Sequence, residues 1–142
     1  MTEETQAERI DRIAGDQPAF AGHLGMRLIT WSREKVVAEM PSTETLSNRN
    51  GVMHGGAVMA LADNIGGTLA SFYLAPDQMT TTVESKTNFL RSIALGDIAT
   101  GTATAIHAGR RTIVVETRIS RGDGKLAAIV TQTQMLMSRD RG

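Results

Sequence analysis

A histidine followed by two glycines, His54-Gly55-Gly56, stands at the start of a long apolar segment and could do chemistry. Glycines at the start of a helix leave backbone N–H groups bare, so a ligand oxygen can approach them closely. Together with the helix dipole, such donors suit the oxyanion that develops on a carbonyl during acyl transfer. Alternatively, the two glycines merely permit a tight turn from loop to helix. The motif by itself leaves both interpretations open.

Asp63 is the one formally charged residue between positions 52 and 75. Burying such a charge without a partner is costly, which favours a functional reason for its presence. Its face of a helical wheel carries little bulk beyond one methionine, and comprises Met59, Gly66, Gly67 and Ala70. A substrate or a second chain could approach there, and the confined carboxylate could then act as nucleophile or general base. The alternative is an aspartate hydrogen-bonded to a backbone group or a neighbouring loop.

The spacing of these two features bears on how they could work together. Gly56 and Asp63 lie roughly 10 Å apart along a helix, at about 1.5 Å per residue. Groups that act on one carbonyl must lie within about 3 to 3.5 Å of it. If both features act on the same substrate, they must therefore come from different protomers related by a two-fold axis. The sequence thus predicts an obligate homodimer with two composite sites.

The segment that holds both features, residues 52–75, has a helical period. Its apolar stripe consists of Val58, Leu61, Ile65, Leu69 and Phe72. A helix that is almost uncharged on all sides must be covered on most of them, whereas a surface helix would carry a charged face. We therefore expect this helix to be central and to be wrapped by the rest of the chain.

Strand-like segments flank this helix on both sides. We predict a first strand over residues 26–40, ended by Pro41, and a loop over 42–51. Four more strands are predicted after the helix, at about 79–93, 97–108, 112–121 and 125–138. Short connectors, such as the glycine-containing one at 121–125, favour antiparallel pairing. The fold class is therefore α+β, with a curved antiparallel sheet around one long helix.

The length of 142 residues fits a single domain, which we divide into an N-terminal helical arm over 1–21 and a core over 22–138. The arm has a sparse amphipathic pattern that ends near Gly15 or Pro18. Fifteen basic and fifteen acidic residues give no net charge, so nucleic acid and anionic membranes are not expected as partners.

Several classes of site are disfavoured by composition. Because the chain has no cysteine, thiolate nucleophiles and thiolate metal ligands are excluded. His23 and His107 lack metal-ligand spacing, and we predict no metal site. The polar, acidic start does not resemble a secretory signal, and no run is long and apolar enough for a spanning helix, so a cytoplasmic protein is expected.

The stretch from Asn48 to Gly56, NRNGVMHGG, followed by Leu61-Ala62-Asp63, resembles the motif of PaaI-like enzymes in the hotdog thioesterase superfamily. Further similarity lies in Asn88-Phe89-Leu90-Arg91, in Leu95-Gly96-Asp97 and in the turn Gly109-Arg110-Arg111, and spans about residues 20–138. The resemblance implies a hotdog fold and acyl-CoA thioesterase activity. An aspartate at position 63, where another branch has glutamate, places the chain nearer phenylacetyl-CoA enzymes than 4-hydroxybenzoyl-CoA enzymes.

The resemblance also implies roles for individual residues. Gly55 would donate its N–H to the thioester oxygen, with Gly56 also contacting substrate at the helix start. His54 and Asn48 would orient the carbonyl or the attacking water. Asp63 of the facing protomer would be nucleophile or general base, and Thr82 would hold the water. The candidates for binding the coenzyme A phosphates are the arginines Arg91, Arg110 and Arg111, for which solvated hairpin charges are the alternative.

Coenzyme A would be part of the substrate, so no separate cofactor is expected, and family habit suggests that dimers assemble into a homotetramer. The alternative function is a non-catalytic hotdog protein that binds or senses acyl-CoA. A hydratase of the same fold would resemble a different Asp-His arrangement, which this sequence lacks. The sequence leaves open whether the acyl group is aromatic or aliphatic.

Overall fold

The computed structural model describes residues 2–139 of the chain. Its elements, in chain order, are α1 (Gln6–Gly15), α2 (Ala19–His23), β1 (Arg27–Trp31), β2 (Lys35–Pro41), α3 (Gly55–Ser71), β3 (Gln78–Phe89), β4 (Ile98–Ala108), β5 (Thr112–Ser120) and β6 (Leu126–Ser138). A short 3₁₀ turn, Glu44–Leu46, lies in the loop before α3. The single-domain prediction stays a prediction, and residues 1 and 140–142 of that domain lie outside the described residues.

The strands form one antiparallel sheet in the order β1-β2-β4-β5-β6-β3. Helix α3 packs against β2, β3, β4, β5 and β6, so the sheet wraps it as expected. The predicted α+β class and the hotdog architecture are therefore confirmed. Within residues 2–139, no helix is long and apolar enough to cross a membrane, and no cluster of three or more histidine or acidic side chains could hold a metal ion.

The prediction of one strand over residues 26–40 is wrong, because the chain reverses in its middle. A turn at 32–34 joins β1 to β2, which pair antiparallel with Trp31 opposite Val36. The Ser32 hydroxyl stabilises this turn by accepting hydrogen bonds from the N–H groups of Glu34 and Lys35, both at 3.3 Å. The predicted N-terminal helix is α1, which ends at Gly15 as expected, and a second short helix, α2, begins after Pro18.

The apolar stripe of α3 forms the centre of the core. The side chains of Leu61, Ile65 and Leu69 are fully buried. Burial of each such side chain contributes about 1.5–3 kcal/mol to folding. The sheet approaches closely at Gly101 of β4, where an added Cβ would lie 2.8 Å from the Ile65 side chain. This packing fixes α3 against the sheet and so fixes which of its residues face outward.

Candidate active site

Within the part of the chain that the structure describes, the first turn of α3 leaves one backbone donor without a partner. His54 caps the helix, with its Nδ1 accepting from the Gly56 N–H at 2.7 Å. The N–H groups of Ala57 and Val58 donate to the carbonyl of His54. Among the hydrogen bonds within residues 2–139, none uses the Gly55 N–H. Of the two glycines proposed to contact substrate, Gly55 therefore presents the available donor, whereas the Gly56 N–H is already satisfied.

The capping bond also determines what His54 can offer. An Nδ1 atom that accepts a hydrogen bond carries no proton, so the neutral imidazole bears its proton on Nε2. The His54 side chain is exposed, and its Nε2–H is a donor that can reach an oxygen near the helix start. The geometry thus allows the predicted orienting role without a hydrogen bond between His54 and Asp63.

Gly55 opens into a cavity of about 410 Å³, which Asn48, Phe89 and Arg91 also line. The Asn48 Oδ1 atom accepts from the N–H groups of Asn50 and Val52, at 2.9 and 3.4 Å, and so stabilises its own loop. The Phe89 ring lies close enough that a Cβ on residue 55 would be 3.2 Å from its Cζ atom. The bare N–H therefore lies in a pocket with both polar and aromatic walls.

Asp63 lies two turns further along α3 and is exposed in the protomer. Its Oδ1 atom accepts a hydrogen bond of 2.8 Å from the hydroxyl of Thr82 on β3. The Thr82 oxygen in turn accepts from the Nε2 atom of Gln134 on β6, at 2.6 Å. Thr82 donates its hydroxyl proton to Asp63 and so holds the carboxylate in place. Within residues 2–139 the other carboxylate oxygen, Oδ2, accepts no hydrogen bond.

The outer face of α3 is narrower than the helical wheel predicted. Met59 is 42% exposed and lies outward with Asp63. Gly66 and Ala70, however, are buried, so the expectation that a substrate or a second chain could approach this part of the face was wrong. The reason is that the sheet curls around this side of the helix, where the Gln132 amide lies against Gly66 so closely that a Cβ there would clash.

A second cavity, of about 380 Å³, opens beside Asp63. Its lining is mostly polar and comes from three places in the chain: Ile13, Asp16, Gln17 and Pro18 of the N-terminal arm; Asn64, Gly67, Thr68 and Ser71 of α3; and Thr80, Thr81, Thr82 and Gln134 of the sheet. The arm is held there because Gln17 accepts a hydrogen bond of 2.9 Å from Asn64. The N-terminal arm therefore closes one end of the Asp63 cavity.

The two predicted catalytic groups are not brought together within one protomer. The cavity at Gly55 and the cavity at Asp63 share no lining residue. Along the helix axis the two residues are about 12 Å apart, at about 1.5 Å per residue. A single chain therefore presents the two predicted catalytic groups in two separate cavities.

Strand β3 connects these two places. It lies at the end of the sheet, paired with β6 on one side, and within the described residues no strand pairs with its other edge. A β-bulge at Val83 places two residues of β3 opposite one of β6. Thr82 and Phe89 are an odd number of positions apart and would otherwise face opposite sides of the sheet. Because of the bulge, Thr82 reaches Asp63 and Phe89 reaches Gly55 on the same side.

The predicted phosphate-binding arginines lie at opposite ends of the protomer. Arg91 lines the Gly55 cavity and donates from Nη1 to the Leu126 carbonyl at 2.8 Å. Arg110 and Arg111 form the turn between β4 and β5, where the Arg111 carbonyl accepts from the Leu136 N–H. Leu136 pairs with Thr80 of β3, next to the Asp63 cavity. Arg91 thus lies at the Gly55 cavity, whereas Arg110 and Arg111 lie at the end of the sheet nearer to Asp63.

Gln134 is a site residue that the sequence analysis missed. It is 1% exposed, and its amide contacts Thr82 directly. A signal was present, because Val130, Gln132 and Gln134 alternate along β6 and all three point into the core. Two glutamines at positions where a strand normally places apolar side chains indicate polar contacts inside the protein.

Comparison with known proteins gives a consistent result. Residues 50–128 match the family model described as the thioesterase superfamily. A putative esterase of Pseudomonas aeruginosa is 34% identical over 135 residues, covering 93% of this chain and 92% of that protein. A 1,4-dihydroxy-2-naphthoyl-CoA hydrolase of Listeria monocytogenes is 31% identical over 106 residues, covering 75% of this chain and 85% of that protein. The solved structure of the E. coli PaaI protein gives a TM-score of 0.85 at 23% identity, covering 96% of this chain and 97% of that one.

An antiparallel sheet wrapped around one central helix is the hotdog fold, which the chain shares with the solved PaaI structure. The chain belongs to the thioesterase superfamily. The resemblance to PaaI-like enzymes is thereby confirmed at the level of family and fold, and so is the prediction that the chain is a hydrolase.

Proposed function

We propose that this thioesterase hydrolyses an acyl-CoA as a homodimer, with each active site built from Gly55 of one protomer and Asp63 of the partner subunit. The observation that carries this proposal is that the two groups open into different cavities of a single protomer. Both must lie within about 3.5 Å of the same thioester to act on it. A second copy of the chain, related by a two-fold axis, supplies the missing group.

The free edge of β3 supports a specific dimer. Within residues 2–139 one edge of this 12-residue strand is unpaired, and such an edge is a ready template for pairing with another chain. If two copies of β3 pair antiparallel about an axis between Ser85 and Lys86, Thr82 of one protomer lies opposite Phe89 of the partner subunit, about 5 Å away. Thr82 is hydrogen-bonded to Asp63, and Phe89 lies against Gly55. This register therefore brings the Asp63 carboxylate of each protomer close to the Gly55 N–H of the other.

The chemistry of such a composite site follows from its groups. The Gly55 N–H donates to the thioester carbonyl oxygen and stabilises the negative charge that develops there. Asp63 acts on the carbonyl carbon through Oδ2, since Oδ1 is held by Thr82. The carboxylate either attacks the carbon itself or removes a proton from a water that attacks. When a water attacks, the C–S bond breaks, and the proton that Asp63 took from that water passes to the departing thiolate, which gives coenzyme A and the free acid. When Asp63 attacks, the C–S bond breaks to release the thiolate and leaves an acyl anhydride on Asp63, which a water then hydrolyses to the free acid, and a proton of that water passes to the thiolate.

Coenzyme A is bound in this proposal by arginines of both protomers. Arg91 stands at the Gly55 cavity. The antiparallel dimer brings the partner's turn with Arg110 and Arg111 to the same end, because that turn lies toward Asp63 in its own protomer. Guanidinium groups bind phosphate oxygens through paired N–H donors. The reaction uses no separate cofactor or metal in this proposal. A homotetramer and a cytoplasmic location stay predictions.

The proposal predicts that the protein releases coenzyme A from at least one acyl-CoA. The experiment is to incubate it with phenylacetyl-, benzoyl-, hexanoyl- and palmitoyl-CoA in the presence of a thiol reagent. Thiol release that equals the free acid formed supports hydrolysis, and the ranking of substrates identifies the acyl class. Saturable binding of these compounds without thiol release would contradict the proposal and favour the acyl-CoA-binding alternative.

A further inference from the structure

We infer that Gln134 is a positioning residue for the hydrolysis, acting through Thr82 on Asp63; this inference rests on the proposed function. The three side chains form a continuous hydrogen-bonded chain. Gln134 Nε2 donates to Thr82 Oγ1 at 2.6 Å, and Thr82 Oγ1 donates to Asp63 Oδ1 at 2.8 Å. Gln134 comes from β6, Thr82 from β3 and Asp63 from α3. These two hydrogen bonds therefore connect the core of the sheet to the outer face of α3.

The direction of each bond in this chain is determined by the charge at its end. An ionised carboxylate can only accept hydrogen bonds, so the Thr82 hydroxyl must give its one proton to Asp63. The Thr82 oxygen can then interact with Gln134 only as an acceptor, which requires the NH₂ group of the amide to face it. The Oε1 atom of Gln134 consequently faces the hydroxyl of Thr80, 3.1 Å away.

This arrangement restricts a side chain that would otherwise be mobile. Asp63 is exposed on the helix surface, and Thr82 is the side chain that holds its carboxylate within residues 2–139. Without Gln134 the Thr82 hydroxyl could still donate to Asp63, but no other hydrogen bond within residues 2–139 would hold the Thr82 oxygen in place. With Gln134 in place, Oδ1 is fixed and Oδ2 is presented to substrate. Holding a reacting group in a productive geometry is worth far more to the rate than to substrate binding.

Gln132 provides a matched comparison on the same strand. It is also fully buried and precedes Gln134 on the same side of β6. Neither its Nε2 nor its Oε1 atom has a hydrogen-bond partner within the described residues. Gln132 lies against Gly66, and within residues 2–139 its amide makes no hydrogen bond to Thr82 or Asp63. The two glutamines thus share strand, burial and chemistry, and they differ in whether they contact the proposed catalytic carboxylate through Thr82.

The test compares Gln134→Met with Gln132→Met in the full-length protein, because methionine keeps the length of glutamine but cannot donate the hydrogen bond. We expect Gln134→Met to lower kcat about tenfold, the typical effect of one lost hydrogen bond, with KM changed less than about twofold. Gln132→Met should keep wild-type kcat. A double-mutant cycle with Thr82→Val should show that Gln134→Met has little further effect once the Thr82 hydroxyl is gone.

The outcomes separate this inference from the proposed function. If the wild-type protein hydrolyses acyl-CoA and Gln134→Met keeps its kcat, the positioning role is overturned and the proposed function stands. Absence of hydrolysis by the wild-type protein overturns both. If Gln134→Met does not fold, a second measurement tests the inference without any change at Gln134. The NMR signals of the Gln134 side-chain amide should shift when Thr82 is replaced by valine. Unchanged signals would show that the hydrogen-bonded chain is absent and would overturn the inference.

Discussion

Asp63→Asn is expected to lower kcat for acyl-CoA hydrolysis by about 10²- to 10⁴-fold, the range of a lost general base, with KM changed little. Asparagine keeps the shape of the side chain, and its Oδ1 atom can still accept from the Thr82 hydroxyl. Its NH₂ group replaces the free Oδ2 and can neither take a proton nor attack a carbonyl carbon. Steady-state kinetics with the best acyl-CoA of the panel measures the effect.

The matched control removes a carboxylate elsewhere on the surface. Asp77 is exposed and lies in the loop after α3, away from the two cavities. Asp77→Asn changes the net charge by the same amount and should keep wild-type kcat. Equal melting temperatures for both variants would show that the fold is intact. An Asp63→Asn protein with wild-type turnover would remove Asp63 from the reaction.

Gly55→Pro is expected to lower kcat/KM by about 10²- to 10³-fold, the effect of removing one oxyanion donor. Proline has no N–H, and the first helical position, which Gly55 occupies, is where proline is well tolerated. His54 already has an extended backbone, with φ −63° and ψ 137°, the conformation preferred before proline. The structure therefore allows a backbone donor to be deleted without breaking the helix.

Gly55→Ala is the control for the added side chain. Alanine keeps the N–H but introduces the same Cβ, which would lie 3.2 Å from the Phe89 ring. Phe89 is 55% exposed, so its ring can move by the few tenths of an ångström required. We expect Gly55→Ala to retain most activity. If folded Gly55→Pro is as active as Gly55→Ala, the N–H of residue 55 does not stabilise the oxyanion.

Much of the fold could be predicted because its signals are local. The apolar period of α3 and the alternating strands that follow it depend on residues close in sequence. The division of residues 26–40 into β1 and β2 was missed because the turn at 32–34 contains neither glycine nor proline. The bulge at Val83 was also missed, since it shows only in the pairing of β3 with β6.

The residue types of the candidate site could be named from the sequence, but the contacts between those residues could not. Gly55 and Asp63 could be named because each is unusual for its place in the chain. That the Gly56 N–H is used by His54 depends on a capping bond that the sequence does not specify. Gln134 is separated from Thr82 by 52 residues in sequence, so their contact requires the tertiary pairing of two strands. Such long-range polar contacts are what the structure adds.

The central claim, that Gly55 and Asp63 act on one thioester from two protomers, is tested most directly by a mixed dimer. Asp63→Asn and Gly55→Pro chains with different affinity tags can be co-expressed and the doubly tagged dimer purified. One of its two sites would combine an intact Gly55 with an intact Asp63, so we expect about half of wild-type activity per dimer. A doubly tagged dimer as inactive as either parent would contradict the account, since it would place both groups in the site of a single chain.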